Sequence, residues 1–262
     1  MGSATAPLLA VERLSRSFAG LAALRDVSFT VGEREICGLI GPNGAGKTTL
    51  LSIVAGSLRP TGGAVIFRGR DLTGAASPAR VHAGVVRTHQ IPRPFRALSV
   101  LENVEVGSRF GAAWRRRGAG SDLRSASDVR AAGAPQTSLE ILDKVGIAHL
   151  AAAPAGTLSI GNLKRLELAR ALATGPGLLL CDEVCGGLTA AETAAILDLL
   201  RAIRAAGTAV LYVEHDVRAI AAVCDRVVVL DQGRKLAEGP PAAMQSDPAV
   251  IEAYLGKPRG TP

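Results

Sequence analysis

The residues Gly41-Pro42-Asn43-Gly44-Ala45-Gly46-Lys47-Thr48 constrain this chain more than any other feature, because they satisfy GxxxxGK[ST] in the context that gives the pattern a mechanism. Before them, Ile36-Cys37-Gly38-Leu39-Ile40 is an unbroken apolar run of strand length; after them, Thr48 to Ala55 reads as a helix. A strand, a glycine-rich loop and a helix in that order let successive backbone N–H groups wrap an anion, and the positive end of the helix favours it. Bulky side chains in the loop would prevent the approach. Lys47 is then placed to reach the β- and γ-phosphates of a nucleotide, and the Thr48 hydroxyl to ligate Mg²⁺. The stretch from Gly41 through Thr49 is the candidate nucleotide site, with ATP and Mg²⁺ the expected ligands.

A second segment supplies acids. Gly177-Leu178-Leu179-Leu180-Cys181-Asp182-Glu183 is an apolar strand ending in two carboxylates, where strand ends of open α/β sheets deliver side chains to ligands. Asp182 would orient the Mg²⁺ or its water, and Glu183, facing differently, would polarise the attacking water. Alone, an acidic pair after a strand is as often a turn or a helix cap; the phosphate loop favours a site. In Leu158-Ser159-Ile160-Gly161-Asn162, ahead of an expected helix from Leu163 to Leu172, a Ser hydroxyl, a Gly N–H and a helix N-terminus make an anion site, although by itself the segment is only a helix capped by Ser159.

Elsewhere, Leu8 to Phe18 and Ala23 to Val31 suggest an antiparallel pair, and Ala64 to Phe67 another strand. Ser77-Pro78 reads as an N-cap followed by Pro at the first helical position, and Ser99 to Glu102 and Thr189 to Glu192 as capping boxes. The second box opens a helix carrying Ile196, Leu199, Leu200 and Ile203 that ends at Gly207. Ala209 to Val213 and Val227 to Leu230 are buried strands with a helix between them. The expected fold is α/β: a P-loop NTPase core with a mainly parallel sheet, an N-terminal antiparallel β subdomain and a helical subdomain. One domain spans 1–262, with its core at about 8–76 and 174–240, the helical part at about 77–173 and a tail at 241–262.

The net charge of +7 raises nucleic acid or an anionic membrane as partners, but it is localised. Residues 108–137 hold six arginines against two aspartates, so +4 of the +7 lies in one insert. Phe110 and Trp114 are its aromatic pair, without the repeated aromatic and basic interleaving of a single-strand binder, and no nucleic-acid partner is expected. The insert reads as a solvated surface excursion, with contact to lipid headgroups or a membrane subunit the alternative. Cys37, Cys181, Cys185 and Cys224 form no CxxC pair and read as free thiols of a reducing compartment. With no signal-like start and no apolar run of about 18 residues, a cytoplasmic protein is expected, associated with a membrane through a partner.

The ordered set GPNGAGKTT, Gln90 after a strand, LSIGN with its LKRLELARAL helix, LLLCDE, and His215 in YVEHD resembles the nucleotide-binding domains of ABC transporters over nearly the whole chain. The resemblance implies that Gln90 senses Mg²⁺ and the γ-phosphate while contacting the membrane subunit, and that His215 holds the γ-phosphate. It also implies that Ser159, Gly161 and Asn162 complete the site of an opposite ATPase subunit, identical or homologous. Phe18 looks like the ring that stacks on adenine, where Tyr is commoner; a core Phe is its other reading. RTHQIPRPF leading into LSVLENV, the insert, and the ending GRKLAEGPPAAMQSDPAVIEAYLG resemble the long ATPase subunit of branched-chain amino-acid importers. That implies a membrane permease as partner, a periplasmic or extracellular solute-binding protein as an indirect one, and a peripheral place on the cytoplasmic membrane face. Importers of urea and short amides, exporters and soluble ATPases of the same family are the alternatives. The sequence departs from the family pattern at His89, Ile160, Asn162 and Val184, the last where Pro is usual.

Overall fold

The structure is a computed structural model that describes residues 6–118 and 137–255. It opens on the expected hairpin: β1 (Leu9–Phe18) and β2 (Leu21–Val31) pair antiparallel across a turn in which Ala19 and Gly20 both take positive φ. β3 (Ile36–Ile40) leads through the glycine-rich loop into α1 (Lys47–Val54). β4 (Gly62–Phe67) and β5 (Arg70–Asp71) then return to the first sheet, giving the antiparallel order β2-β1-β4-β5.

α2 (Ser77–Ala83) corrects one expectation, since Ala76 rather than Ser77 is its N-cap and no side chain caps it. Pro78 falls in the first turn, where N–H groups have no intrahelical partner, so a register one residue earlier costs the helix nothing. The helix exists to place Arg80, which is 1% exposed and donates to the carbonyls of Ile53 and Val54 at the end of α1, at 2.7 and 2.8 Å, and to those of Thr73 and Ala75. The guanidinium adds donors to the carbonyl end of α1, where Gly56, at φ 77°, already donates its N–H to the Ile53 carbonyl at 3.0 Å.

β6 (Val85–Arg87), within the mainly helical stretch, is the strand expected ahead of Gln90, and it pairs parallel to the core sheet. α3 (Val100–Gly118) starts at the Ser99–Glu102 capping box, and α4 (Ser138–Lys144) at a second box made by Thr137 and Glu140. Short 3-10 turns at 148–150 and 155–157 lead to α5 (Ile160–Ala173), capped by Ser159 as expected but beginning three residues before Leu163. Then follow β7 (Leu178–Asp182), α6 (Ala190–Ala205) from the Thr189–Glu192 box, β8 (Ala209–Val213), α7 (Val217–Val223), β9 (Arg226–Asp231), β10 (Arg234–Gly239), α8 (Pro241–Ser246) and α9 (Pro248–Leu255).

The second sheet has the order β10-β9-β3-β8-β7-β6, parallel from β9 to β6, with β10 antiparallel at one edge. Strands β3, β7 and β8 are buried at every position because both faces of the sheet are covered. Alternation then divides their side chains. Leu179, Val210, Tyr212, Val227 and Val229 face the helical layer with α5 and α6. Leu178, Leu180, Leu211, Val228 and Leu230 face α1, whose other side packs on the antiparallel sheet through Leu50, Leu51, Ile53 and Val54. Asp182 shares the register of Leu178 and Leu180, so its carboxylate is delivered to the α1 side, beneath the phosphate loop.

The four cysteines are unpaired, as expected, and burial pushes the Cys37 thiol up to about 12. Of the basic insert at 108–137, the first part continues α3 to Gly118, and 119–136 lie outside the described residues. No helix among the described residues is long and apolar enough to cross a membrane.

Candidate nucleotide site

The loop from Gly41 to Gly46 bends over the end of β3 through glycines that no other residue could replace in place. Gly41 has φ 153° and a Cβ there would run into the Leu230 carbonyl; at Gly46, φ 103°, a Cβ would stand 2.7 Å from the Ala23 carbonyl and 2.8 Å from Leu24. The loop is braced from behind, where Gly233 donates to the Ala45 carbonyl at 3.1 Å. Lys47 is 6% exposed, and its Nζ donates to the carbonyls of Gly41 at 2.6 Å and Pro42 at 3.0 Å, across the mouth of its own loop. Burial lowers its pKa, while Glu183 and Asp182 hold it up.

A cleft of about 400 Å³ opens above this loop. Asn43, Gly44, Ala45, Gly46, Lys47 and Thr48 form its floor, and Thr49 and Ala23 adjoin them. The opposite wall is Gln90, Glu183 and His215, three residues far apart in sequence. Glu183 has φ 47°, a left-handed backbone that turns its side chain away from the direction of Asp182. Its Oε2 accepts from Gln90 Nε2, and its Oε1 shares a hydrogen bond with His215 Nε2. Asp182 lies deeper and pairs with Arg87 at 2.7 Å; Arg87 also donates to Ser52 on α1 at 3.0 Å.

Of the residues expected to act together, the structure gathers the phosphate loop, Gln90, Glu183 and His215, with Asp182 one residue behind Glu183. Phe18 is not core: it is 44% exposed at the end of β1, with the Arg16 guanidinium 4.6 Å from its ring centroid. Ser159 and Asn162 are outside the cleft lining, at the N-terminus of α5, where the Ser159 hydroxyl accepts from Asn162 N–H at 3.3 Å. Gly161 is buried, and a Cβ on it would clash with the Glu192 carboxylate at 2.5 Å.

Comparison with known proteins accords with this arrangement. Residues 24–186 match the family described as ABC transporter, which is more than half of the chain. The chain belongs to the ABC transporter family. Residues 234–259 match a second family, described as branched-chain amino acid ATP-binding cassette transporter. The high-affinity branched-chain amino acid transport ATP-binding protein LivG of Salmonella typhimurium is 39% identical over 254 residues, covering 96% of this chain and 98% of its own. BraF of Pseudomonas aeruginosa, with the same description, is 35% identical over 259 residues, covering 96% and 98%. Among solved structures, the ADP conformation of an ATP-binding cassette of an ABC transporter superposes with a TM-score of 0.81 at 30% identity, over 97% of this chain and 100% of that one.

As an ABC transporter ATPase, the chain adds side chains to the site that the motifs did not announce. Glu214 is 5% exposed and accepts from the N–H groups of Cys185 at 2.8 Å and His215 at 3.3 Å, tying the loop after Glu183 to the loop that carries His215. Burial raises its pKa, and those two N–H groups oppose the rise. Val184, where the family pattern has Pro, is 2% exposed within the helix-side core, so the Glu183 loop is fixed by packing and by Glu214 rather than by a proline ring. Tyr254 of α9 lines an apolar pocket together with Ile40, the residue just before the phosphate loop.

Oxygen donors suit a hard cation: Thr48 and Gln90 line the cleft, and the Asp182 carboxylate, paired with Arg87, lies behind them. The residues therefore fit Mg²⁺. Replacing Lys47 by Ala removes a charged donor from a loop otherwise made of neutral N–H groups, which is worth about 1.5–3 kcal/mol for a bond to a charged partner. ATP affinity measured by titration of the purified chain is expected to fall by about 10- to 100-fold, and unchanged affinity would remove Lys47 from the site.

Proposed function

We propose that the chain powers uptake of branched-chain amino acids, or of a related small polar solute, through a separate permease that it grips from the cytoplasmic face. The observation that carries this reading is the match of residues 234–259 to the branched-chain amino acid ATP-binding cassette family, which covers β10, α8 and α9. A relative named for lipopolysaccharide export, LptB of Escherichia coli, is 32% identical over 249 residues, so the shared ATPase core leaves the direction of transport open. The C-terminal match favours import.

In the proposed reaction, the N–H groups of Gly44 to Thr48 and the Lys47 ammonium bind the β- and γ-phosphates, exchanging the Lys47 bonds to Gly41 and Pro42 for phosphate oxygens. Phe18 stacks on the adenine, with Arg16 already over the ring. Mg²⁺, held by Thr48 and Gln90 with Asp182 acting through water, would neutralise phosphate charge. Glu183 orients a water for in-line attack on the γ-phosphorus and takes its proton, and His215 donates to the γ-phosphate. Gln90 and His215 both hold Glu183, and contacts to phosphate and water would take the place of those bonds when nucleotide binds. The nucleotide of one subunit is completed by Ser159, Gly161 and Asn162 of a second ATPase subunit.

The test is co-expression with the neighbouring membrane subunits, reconstitution in vesicles, and ATPase measurement with the solute-binding protein loaded in turn with leucine, isoleucine, valine, urea or acetamide. Stimulation by the branched-chain amino acids is expected. Stimulation by urea or acetamide alone would reassign the solute, and failure to co-purify with any permease would overturn the importer reading.

A further inference from the structure

One buried cation has no place in the reaction just described. Lys164 lies in the second turn of α5 and is 4% exposed. Its Nζ donates to two backbone carbonyls at 2.8 Å each: that of Gln90, 74 residues earlier, and that of Glu183, 19 residues later. Among the described residues it forms no ion pair within salt-bridge distance, so its charge is balanced by carbonyl dipoles and by more distant acids. Burial lowers its pKa, while Glu214, Cys185, Glu183 and Asp182 all favour the charged form. Removing a Lys from water beside two carbonyls is costly unless those bonds hold something in place.

What they hold is specific. The two carbonyls belong to the residues whose side chains meet across the cleft, and each of those residues sits on a loop rather than in a strand. Glu183 is further held at its N–H, which donates to the Val213 carbonyl at 2.9 Å. Its left-handed backbone is thus pinned at both ends, by β8 on one side and by α5 on the other. We infer that Lys164 is a positioning residue, a strut by which α5 fixes the backbone of Gln90 and Glu183 and so aims the carboxylate that polarises water. The inference rests on the proposed role of Glu183. It adds a direction of coupling: α5 carries Ser159 at its N-terminus and Lys164 one turn later, so the helix proposed to meet a partner's nucleotide also sets the geometry of its own catalytic loop. Displacing a catalytic group by about 1 Å is enough to cost on the order of a hundredfold in rate.

Lys164→Met keeps the length and apolar stem but loses the donors. In the assembled transporter it should lower kcat by about 10- to 100-fold while the ATP affinity of the isolated chain stays within about twofold, because the phosphate loop is untouched. Lys164→Gln, which still donates to one carbonyl, should fall between, and it decides the matter should the Met variant fail to fold. In a Glu183→Gln background, Lys164→Met should produce no further loss, since there is no carboxylate left to aim. Parental kcat in both Lys164 variants with an inactive Glu183→Gln would overturn the strut alone. A proportional loss of ATP affinity, kcat and Tm would make Lys164 merely structural and also overturn it. Parental hydrolysis by Glu183→Gln would instead sink the catalytic assignment beneath it.

Discussion

Glu183→Gln is expected to lower ATP hydrolysis by the assembled transporter by about 10²- to 10⁴-fold, the usual contribution of a positioned general base, while leaving nucleotide binding in place. The amide has the shape of the carboxylate and can keep one of the two bonds that Gln90 and His215 make to Glu183. It cannot accept a proton from water. Lys47, Thr48 and the loop N–H groups, which carry binding, are on the opposite wall of the cleft and do not change. Nucleotide that binds and is not cleaved keeps stabilising whatever state binds it best, so ATP-dependent dimers should accumulate in the variant. Phosphate release measured beside gel filtration with ATP checks both consequences. Hydrolysis at the parental rate would show that the catalytic group lies elsewhere.

Removing one negative charge from this cleft should also act on Lys47, whose pKa is lowered by burial and held up first by Glu183 and then by Asp182. Losing the larger of the two supports leaves burial less opposed, so the ammonium loses some of its preference for the charged form. That effect runs against binding, whereas the loss of like charge near the phosphates runs in its favour. The two partly cancel, which is why the affinity of Glu183→Gln should stay close to that of the parent.

The parts of this site that the sequence made legible are those whose signal is local. β8 runs over Ala209–Val213 as expected, because a five-residue apolar run between turn residues has few other homes in an α/β chain. The capping boxes at Ser99 and Thr189 hold because both partners lie three residues apart. Arg87 with Asp182, Lys164 with Gln90, and Arg80 with the end of α1 join residues 95, 74 and 27 positions apart, and no spacing rule registers such pairs. Lys164 did leave one trace. It interrupts the buried stripe of Gly161, Leu168 and Ala171 on α5, and a lysine on the apolar face of a helix has to be answered by some buried acceptor. β6 was legible only through the resemblance, which sets a strand ahead of Gln90, because three residues, Val85 to Arg87, are too few to show any period.

The other large effect concerns who completes the site. Ser159 is exposed at the N-terminus of α5 and is absent from the lining of its own chain's cleft, as the proposed site shared with another subunit requires. Ser159→Arg places a long cation where a small hydroxyl and the Gly161 N–H would have to approach a phosphate, and it crowds a spot already narrowed by the Glu192 carboxylate next to Gly161. The substitution also removes the N-cap, worth about 1 kcal/mol of helix stability, so Ser159→Ala serves as the control that loses the cap without adding bulk. ATP binding by the isolated Ser159→Arg chain should match the parent within about twofold, while hydrolysis by the assembled transporter falls by about 10²-fold or more, since closing on a misplaced group forfeits the alignment on which the rate depends. Ser159→Ala should lose much less. Were the isolated chain of Ser159→Arg to lose ATP binding, Ser159 would belong to its own nucleotide, and the site shared between two chains would fall.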